Sequence, residues 1–199
     1  MKLVSILTFA TAVLAAATPE AVPQAGTSKP LRFSGMSLRT ASPIHSASIN
    51  ANDGKFWIGK KTKTYCPKNN PAVAGACKHA NKDQTIFDYF NGKPTLSLGT
   101  SVPGGQQIYV NKDTGRLRFT AAHSTQMDGT PEQEGFTIVH GAKLQFKKED
   151  WVACPGQMKG TYGVYAAKYK KSGRNGCLGF AWKVIQLDDS VPSAWQYSN

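Results

Sequence analysis

The sequence predicts an all-β protein, and three observations support that fold class. Apolar and polar residues alternate over short segments, as they do on strands with one buried face. Turn-forming residues separate these segments at short intervals, for example Asn52-Asp53-Gly54 and Asp113-Thr114-Gly115. A helical period is nearly absent from the central part of the chain. We therefore expect many short strands joined by tight turns.

The first thirty residues are not expected to belong to this fold. Residues 1–17 combine Lys2, an apolar run and small residues, which predicts a secretory signal peptide. Residues 18–30 contain three prolines and no aromatic residue, which is typical of a flexible spacer or pro-segment. The all-β domain is then expected over residues 31–190, with a C-terminal tail over residues 191–199. No later segment has the length of a membrane span.

Two short sequence phrases recur along the predicted domain. A hairpin-like phrase with a central glycine occurs at residues 33–38, 90–98 and 139–146. A second phrase joins a turn, a basic residue and a strand at residues 50–59 and 111–120, with a degenerate copy at 154–167. Apolar strands close the three units at residues 85–90, 135–140 and 180–185.

This repetition predicts about twelve strands in three units, arranged as a β-trefoil-like barrel. One unit cannot bury its apolar face alone, whereas three together close the sheet and leave no free edges. A two-sheet β-sandwich is the alternative fold. Residues 65–84 interrupt the first unit and are rich in Pro, Asn, Ala and Gly, so we expect a long loop there.

The four cysteines predict two disulfides, because an even number is typical of a secreted chain. Three connectivities are possible. We favour the local pairs Cys66–Cys77 and Cys154–Cys177, since short loops close at a small entropic cost. A zinc site is the alternative, but neither pair has the close spacing of zinc ligands, so no metal is expected.

The charge of the chain predicts attraction to polyanions. Lys and Arg number 24 against 12 Asp and Glu, which gives a formal net charge of +12. Acidic polysaccharide, phosphorylated mannan, anionic lipid and nucleic acid are all compatible with this charge. The alternative is that the charge serves solubility alone.

Many basic residues follow directly after predicted strands. They are Lys60, Lys61, Lys63, Lys147, Lys148, Lys168, Lys170, Lys171 and Arg174. We expect them to gather at one rim of the barrel, with Tyr65, Trp151 and Tyr169 among them. Lysines mixed with aromatic residues suit a polysaccharide or other polyanion surface. Solvated loop lysines are the alternative interpretation.

Catalytic signatures are missing from the sequence. His123 with Glu132 or Glu134 could be written as a ribonuclease-like pair, but no spacing supports it. Asp113, Glu149 and Asp150 are candidates for glycoside hydrolysis, but turns and loops explain them. We therefore expect a protein that is not an enzyme and uses no cofactor.

The C-terminal half resembles a known family. Residues 134–187 contain "WVACP" (151–155), "YGVYAA" (162–167) and "GCLG" (176–179), and these motifs resemble the fungal PhiA-like cell-wall proteins, a family that includes IgE-binding allergens. The same region is similar to the C-terminal domain of the Pir cell-wall mannoproteins. The resemblance implies a secreted, wall-associated protein linked to conidiation and wall organisation, with no catalytic residues.

The resemblance also indicates which partners to expect. The chain lacks the Gln-rich repeats of Pir proteins and a Lys-Arg processing site, so ionic or disulfide retention in the wall is more plausible than a covalent link. Wall polysaccharide or mannoprotein is the expected partner, and nucleic acid is not favoured. The alternatives are a secreted effector or antifungal protein, which would meet a host protein, and a ribonuclease or glycan-active enzyme.

Overall fold

The computed structural model describes residues 29–169 and 175–199. The predicted signal peptide and nearly all of the predicted spacer lie outside these residues. Within them the chain is all-β, as predicted, and its strands form one large antiparallel sheet and a second, two-stranded sheet. The described residues also include one short α-helix and one 3-10 turn.

Among the described residues, the first element begins at Leu31. The first strands and the helix are β1 (Leu31–Leu38), β2 (Ala47–Asn52), β3 (Lys55–Ile58), β4 (Thr64–Tyr65) and α1 (Pro71–His79). The next are β5 (Phe87–Tyr89), β6 (Ser97–Leu98), β7 (Gln106–Asn111), β8 (Leu117–Phe119), β9 (Pro131–Glu132) and β10 (Phe136–Val139). The last are β11 (Lys143–Phe146), β12 (Trp151–Pro155), β13 (Tyr162–Ala166), β14 (Leu178–Gln186) and β15 (Gln196–Tyr197).

Pairing between the first and last long strands joins the two ends of the domain. β1 pairs antiparallel with β14 from Phe33 opposite Gln186 to Leu38 opposite Ala181. β1 also pairs with β2 and β5, and β14 also pairs with β11 and β12. Because β1 and β14 each pair with three strands, the sheet branches at both of them.

Three hairpins occur at the copies of the second recurring phrase, which joins a turn, a basic residue and a strand. They are β2–β3, β7–β8 and β12–β13. Strand β3 touches both other hairpins, because Lys55 pairs with Arg118 of β8 and Trp57 pairs with Gly163 of β13. An isolated bridge joins Arg116 to Tyr165, so the second and third hairpins also meet. The three hairpins thus lie side by side, and the candidate site is built on them.

Aromatic side chains fill the core between the strands. Phe87 is central, with ring centroids of Phe33, Phe56 and Trp182 at 5.2, 5.5 and 5.2 Å. Trp151 belongs to the same core and is fully buried, so its predicted place on a lysine-rich surface is wrong. The physical reason is that β12 lies between β13 and β14 and is buried along four of its five residues.

Residues 65–84 are not the continuous loop that the sequence predicts, because they contain α1. The Asn70 side chain accepts a hydrogen bond from the backbone N–H of Ala72 at 3.0 Å and caps the helix. Pro71 occupies the first turn, where no N–H is needed, and alanines with high helix propensity follow. The Cys66–Cys77 disulfide ties the helix to the preceding chain.

The segment assigned to a C-terminal tail packs into the domain. Ala194 and Tyr197 are fully buried, and β15 pairs with β4. The Tyr197 hydroxyl accepts a hydrogen bond from the Ile86 N–H at 2.8 Å and donates one to the Gln84 carbonyl at 3.2 Å. The backbone of Tyr197 is held by the buried side chain of Gln106. These residues therefore contribute to the hydrophobic core.

Candidate functional site

An open cleft lies between the first and third hairpins, beside the start of β8. Its volume is about 490 Å³, and its lining includes Trp57, Lys60, Arg116 and Tyr165. We call it the hairpin cleft. Trp57 lies on β3, Arg116 directly precedes β8, and Tyr165 lies on β13, so each hairpin contributes to the lining. The cleft therefore depends on the pairing of β3 with both β8 and β13.

Arg116 lies between two aromatic rings at the centre of the cleft. Its guanidinium carbon is 4.1 Å from the Trp57 ring centroid and 4.7 Å from that of Tyr165. Its Nη2 donates a hydrogen bond to the carbonyl of Phe56 at 3.2 Å. A guanidinium is planar and weakly hydrated, so it stacks on aromatic faces better than an ammonium does. These contacts allow the side chain to be buried while it keeps its charge.

Gly163 makes the space that Arg116 occupies. A Cβ atom built on Gly163 would overlap Nη1 of Arg116. Gly163 pairs with Trp57, so the guanidinium lies over the backbone of β13 where any other residue would place its side chain. The glycine is therefore required by the close approach of the arginine.

Lysines surround a single carboxylate at the edge of the cleft. The Lys60 Nζ lies 4.6 Å from the Trp57 ring centroid and 3.8 Å from Asp53, and Lys63 binds Asp53 at 2.7 Å. The hydrogen bond from Lys63 is the largest cause that lowers the pKa of Asp53. Lys55 also lines the cleft, and no ion pair within the described residues includes it. The cleft edge therefore carries an excess of positive charge.

A loop between β12 and β13 forms another part of the cleft lining. Met158 is one of its residues and is 56% exposed, which is high for a large apolar side chain. The Thr161 hydroxyl donates a hydrogen bond to the Met158 carbonyl at 2.7 Å. Cys154, just before the loop, is bonded to Cys177, which is the local pairing that the sequence favours. The cleft thus also offers exposed apolar surface at Met158.

Two of the other predicted basic residues form ion pairs away from the cleft. Lys147 binds Glu132 at 2.9 Å, and Lys168 lies 3.4 Å from Glu149. Lys61 and Lys148 are exposed. Lys170, Lys171 and Arg174 lie outside the described residues. Gathering of all nine basic residues at one rim therefore stays a prediction.

The residues considered for catalysis have other contacts. Glu132 accepts a hydrogen bond from Lys147 and lies 4.0 Å from Lys112. The hydrogen bond from Lys147 is the main reason that the pKa of Glu132 is lowered. His123 is exposed at a turn with a positive φ of 58°, and no hydrogen bond to Glu132 or Glu134 is present among the described residues.

Across residues 29–169 and 175–199, no three His, Cys, Asp or Glu side chains are grouped so that they could hold a metal ion. In the same part of the chain, no helix is long and apolar enough to cross a membrane.

The sequence missed the central residues of the cleft. Trp57 reads as an ordinary strand residue, and neither Arg116 nor Tyr165 belongs to a site that the sequence predicts. Their contacts depend on pairing among β3, β8 and β13, which are far apart in the chain. One signal was present: the recurring phrase places a basic residue directly after a turn glycine, as Lys55 in the first copy and Arg116 in the second.

Comparison with known proteins identifies the family. The family model of the PhiA-like secreted proteins matches residues 33–198. The cell wall protein phiA of Aspergillus niger is 29% identical over 180 residues, covering 86% of this chain and 89% of the relative. An uncharacterized secreted protein of Arthroderma benhamiae is 30% identical over 154 residues, covering 72% of this chain and 73% of the relative.

A more distant relative and the solved structures complete the comparison. The cell wall protein phiA of Aspergillus fumigatus is 23% identical over 185 residues, covering 90% of this chain and 92% of the relative. No solved structure matches the chain. The resemblance seen in the sequence is therefore confirmed: the chain belongs to the PhiA-like secreted proteins and is a secreted protein of the cell wall.

Proposed function

We propose that this protein is a non-enzymatic component of the fungal cell wall that binds anionic wall polysaccharide through the hairpin cleft. One observation carries the proposal. Two cations, Arg116 and Lys60, lie 4.1 and 4.6 Å from the ring centroid of Trp57 in an open cleft. The cleft combines positive charge, aromatic surface and an exposed apolar edge, a combination suited to an acidic sugar polymer.

The charge of the cleft supports an anionic ligand. Asp53 is shared by Lys60 and Lys63, so one negative charge faces two positive charges there. Lys55 adds a third positive charge at the same edge, and Arg116 adds one within the cleft. Exposed charges act over about 8 Å at physiological ionic strength, so a nearby phosphate or carboxylate would be drawn toward these groups.

The remaining predicted lysines extend this role to the wider surface. Lys61, Lys147, Lys148 and Lys168 are exposed, and a net charge of +12 favours association with any polyanionic matrix. In this proposal these lysines concentrate the protein on the wall, and the hairpin cleft supplies the preference for a glycan. Phosphorylated mannan and mannoprotein are the wall components whose chemistry fits best.

We also infer that the twelve main strands form the β-trefoil-like arrangement predicted from the repeats. The three side-by-side hairpins β2–β3, β7–β8 and β12–β13 support this inference, as the cap of such a fold requires. The pairings β1–β5, β1–β14, β10–β11 and β11–β14 are those expected around its body. The remaining three strands, β4, β9 and β15, are two residues long and would be additions to it.

Binding to purified wall polymers across a salt series tests the function. The protein is incubated with chitin, β-glucan and phosphorylated mannan, and the bound fraction is measured between about 0.15 and 1 M salt, where the Debye length falls from about 8 to 3 Å. We expect the strongest retention on phosphorylated mannan and its loss at high salt. Enzymatically dephosphorylated mannan is the matched control.

Two results would contradict the proposal. Equal retention on the phosphorylated and dephosphorylated mannan would remove the need for an anionic ligand. Release of the native protein from whole walls by glucanase, but not by salt, would indicate a covalent link and exclude ionic retention.

A further inference from the structure

A long part of the chain next to the hairpin cleft carries only positive charge. Between Asp53 and Asp83 the sequence contains seven lysines and neither Asp nor Glu. This part includes β3, β4 and α1. Its first lysines, Lys55 and Lys60, line the hairpin cleft. Lys68, Lys78 and Lys82 lie in or next to α1 and belong to no site described above.

The later lysines surround a second concave region. Tyr65, Lys68, Lys82 and Trp195 line a hollow of about 150 Å³, which we call the α1 hollow. Lys68 and Lys82 also line an adjoining concavity of about 300 Å³ together with Lys78. The two concavities therefore share two lysines and form one cationic region.

The α1 hollow, like the hairpin cleft, combines basic residues with aromatic side chains. Tyr65 is 55% exposed, and Trp195 supplies a second aromatic side chain. Lys68, Lys78 and Lys82 are exposed and take part in none of the ion pairs found within residues 29–169 and 175–199. Lys147 and Lys168, by contrast, each pair with a glutamate.

A short, anchored segment joins the hairpin cleft to the α1 hollow. Lys60 lines the hairpin cleft, and Lys63 binds Asp53 of the same cleft. The carbonyl of Lys63 accepts a hydrogen bond from the Ser198 N–H at 2.9 Å, and Thr64 and Tyr65 form β4, which pairs with β15. Residues 60–65 are thus fixed on the domain surface and lead directly from the hairpin cleft to the α1 hollow.

We propose that the hairpin cleft, residues 60–65 and the α1 hollow form one continuous track for a linear acidic polysaccharide. This rests on the proposed function, because it assumes that the hairpin cleft binds an anionic glycan. A polymer held at one end presents its other charges to the second region at a high effective concentration, so long chains gain affinity without tighter local contacts. Residues 60 to 68 span at most about 28 Å, which sets the length that a chain needs to reach both regions.

Affinity measured against chain length tests the track. Oligogalacturonates of graded length, from about three to about twenty units, are titrated by calorimetry at low salt, with neutral chito-oligosaccharides as controls. For the unmodified protein we expect the dissociation constant to fall at least about tenfold from the shortest to the longest oligomer. In the variant Lys68→Gln/Lys82→Gln most of this gain is lost, whereas the affinity for the shortest oligomer changes by less than about twofold.

A matched variant separates the track from overall charge. Lys93→Gln/Lys183→Gln removes the same charge at two other exposed positions and should keep the full dependence on length. Neither Lys68 nor Lys82 lies within α1, so their replacement leaves the helix and its cap in place. Unfolding curves of both variants verify that the fold is retained.

The outcomes distinguish this inference from the proposed function. If short acidic oligomers bind but Lys68→Gln/Lys82→Gln keeps the same length dependence as the matched variant, the track is wrong and the hairpin cleft still stands. If no acidic oligomer binds at any length although phosphorylated mannan is retained, the track fails and the proposed function stands; if neither binds, both proposals fail. If single-stranded DNA of equal charge gives the same affinity and the same gain with length, the assignment to a glycan is overturned.

Discussion

The guanidinium carbon of Arg116 lies 4.1 Å from the ring centroid of Trp57, although the two residues belong to different hairpins. The contact exists because β3 pairs with β8 on one side and with β13 on the other. Tyr165 and Gly163 of β13 complete the surroundings of the guanidinium. A charged group is therefore fixed at the meeting point of three hairpins, where it can serve the fold and a ligand together.

Replacing Gly163 with alanine should displace Arg116. The new methyl group would overlap Nη1, so either the guanidinium or β13 must move. We expect a loss of about 1–3 kcal/mol in the free energy of unfolding, the usual range for overpacking a buried site. Chemical denaturation of the variant measures this loss.

A double variant identifies the cause of that loss. In Gly163→Ala/Arg116→Ala the overlapping group is gone, so the alanine at position 163 should cost much less than it does beside the native arginine. If the stability loss of the double variant equalled the sum of the losses of the two single variants, the close approach of Arg116 to the β13 backbone would be contradicted.

Replacing Tyr197 with phenylalanine should destabilise the domain. The Ile86 N–H and the Gln84 carbonyl would both lose their partner on the Tyr197 hydroxyl. Leaving buried polar groups unpaired costs about 1–3 kcal/mol. Tyr65→Phe is the control, because Tyr65 is 55% exposed and a surface change of this kind alters stability by less than about 0.5 kcal/mol. Equal stabilities of the two variants would mean that the hydrogen bonds of the Tyr197 hydroxyl do not stabilise the domain.

The stability of the protein should depend on pH through Asp88. Burial raises the pKa of this carboxyl group, and the nearby charge of Arg32 only partly opposes the effect. The folded state then binds the proton more tightly than the unfolded state. This contribution to stability therefore increases as the pH falls through the raised pKa and levels off below the unfolded value of about 3.9.

The neutral variant Asp88→Asn isolates that contribution. Its advantage in unfolding free energy over the native protein should be largest at neutral pH and should shrink as the pH falls. Asp53, Glu132 and Asp188 have lowered pKa values and give the opposite slope, so only the difference between the two proteins is informative. A difference that stays constant from about pH 7 to about pH 3.5 would contradict this account of Asp88.

Replacing Gly75 with alanine should stabilise the protein. Gly75 lies within α1, and an added Cβ would meet no atom within 4 Å. Alanine is favoured over glycine in a helix by about 0.8–1.0 kcal/mol, so the midpoint of thermal unfolding should rise. A fall in the midpoint would indicate that residues 71–79 are not helical, as the loop interpretation of the sequence assumed.

The local features of this fold were predictable from the sequence, because they depend on neighbouring residues. The turn Asn52-Asp53-Gly54 joins β2 to β3, and Asp113-Thr114-Gly115 joins β7 to β8. The preference for Cys66–Cys77 and Cys154–Cys177 followed from loop length alone and agrees with the bonds in the structure. Alternation of apolar and polar residues was sufficient to predict the all-β class.

The remaining features depend on contacts between distant segments or on weak local signals. Trp151 reads as a surface aromatic because lysines and acids precede it, but pairing with both β13 and β14 buries it. The helix α1 was missed because nine residues give too short a period to recognise, although Asn70 and Pro71 were visible as a start signal. The stacking of Arg116 on Trp57 required the order of the strands in the sheet, which no local pattern encodes.

The most direct test compares two variants of equal charge for binding to an acidic wall polysaccharide. Lys55→Gln/Lys60→Gln removes two cations from the hairpin cleft, and Lys93→Gln/Lys183→Gln removes two from elsewhere on the surface. If the hairpin cleft binds the glycan, the first variant should lose at least about tenfold in affinity for phosphorylated mannan, and the second less than about twofold. Equal losses in the two variants would mean that overall charge alone holds the protein, and the hairpin cleft would have no role as a binding site.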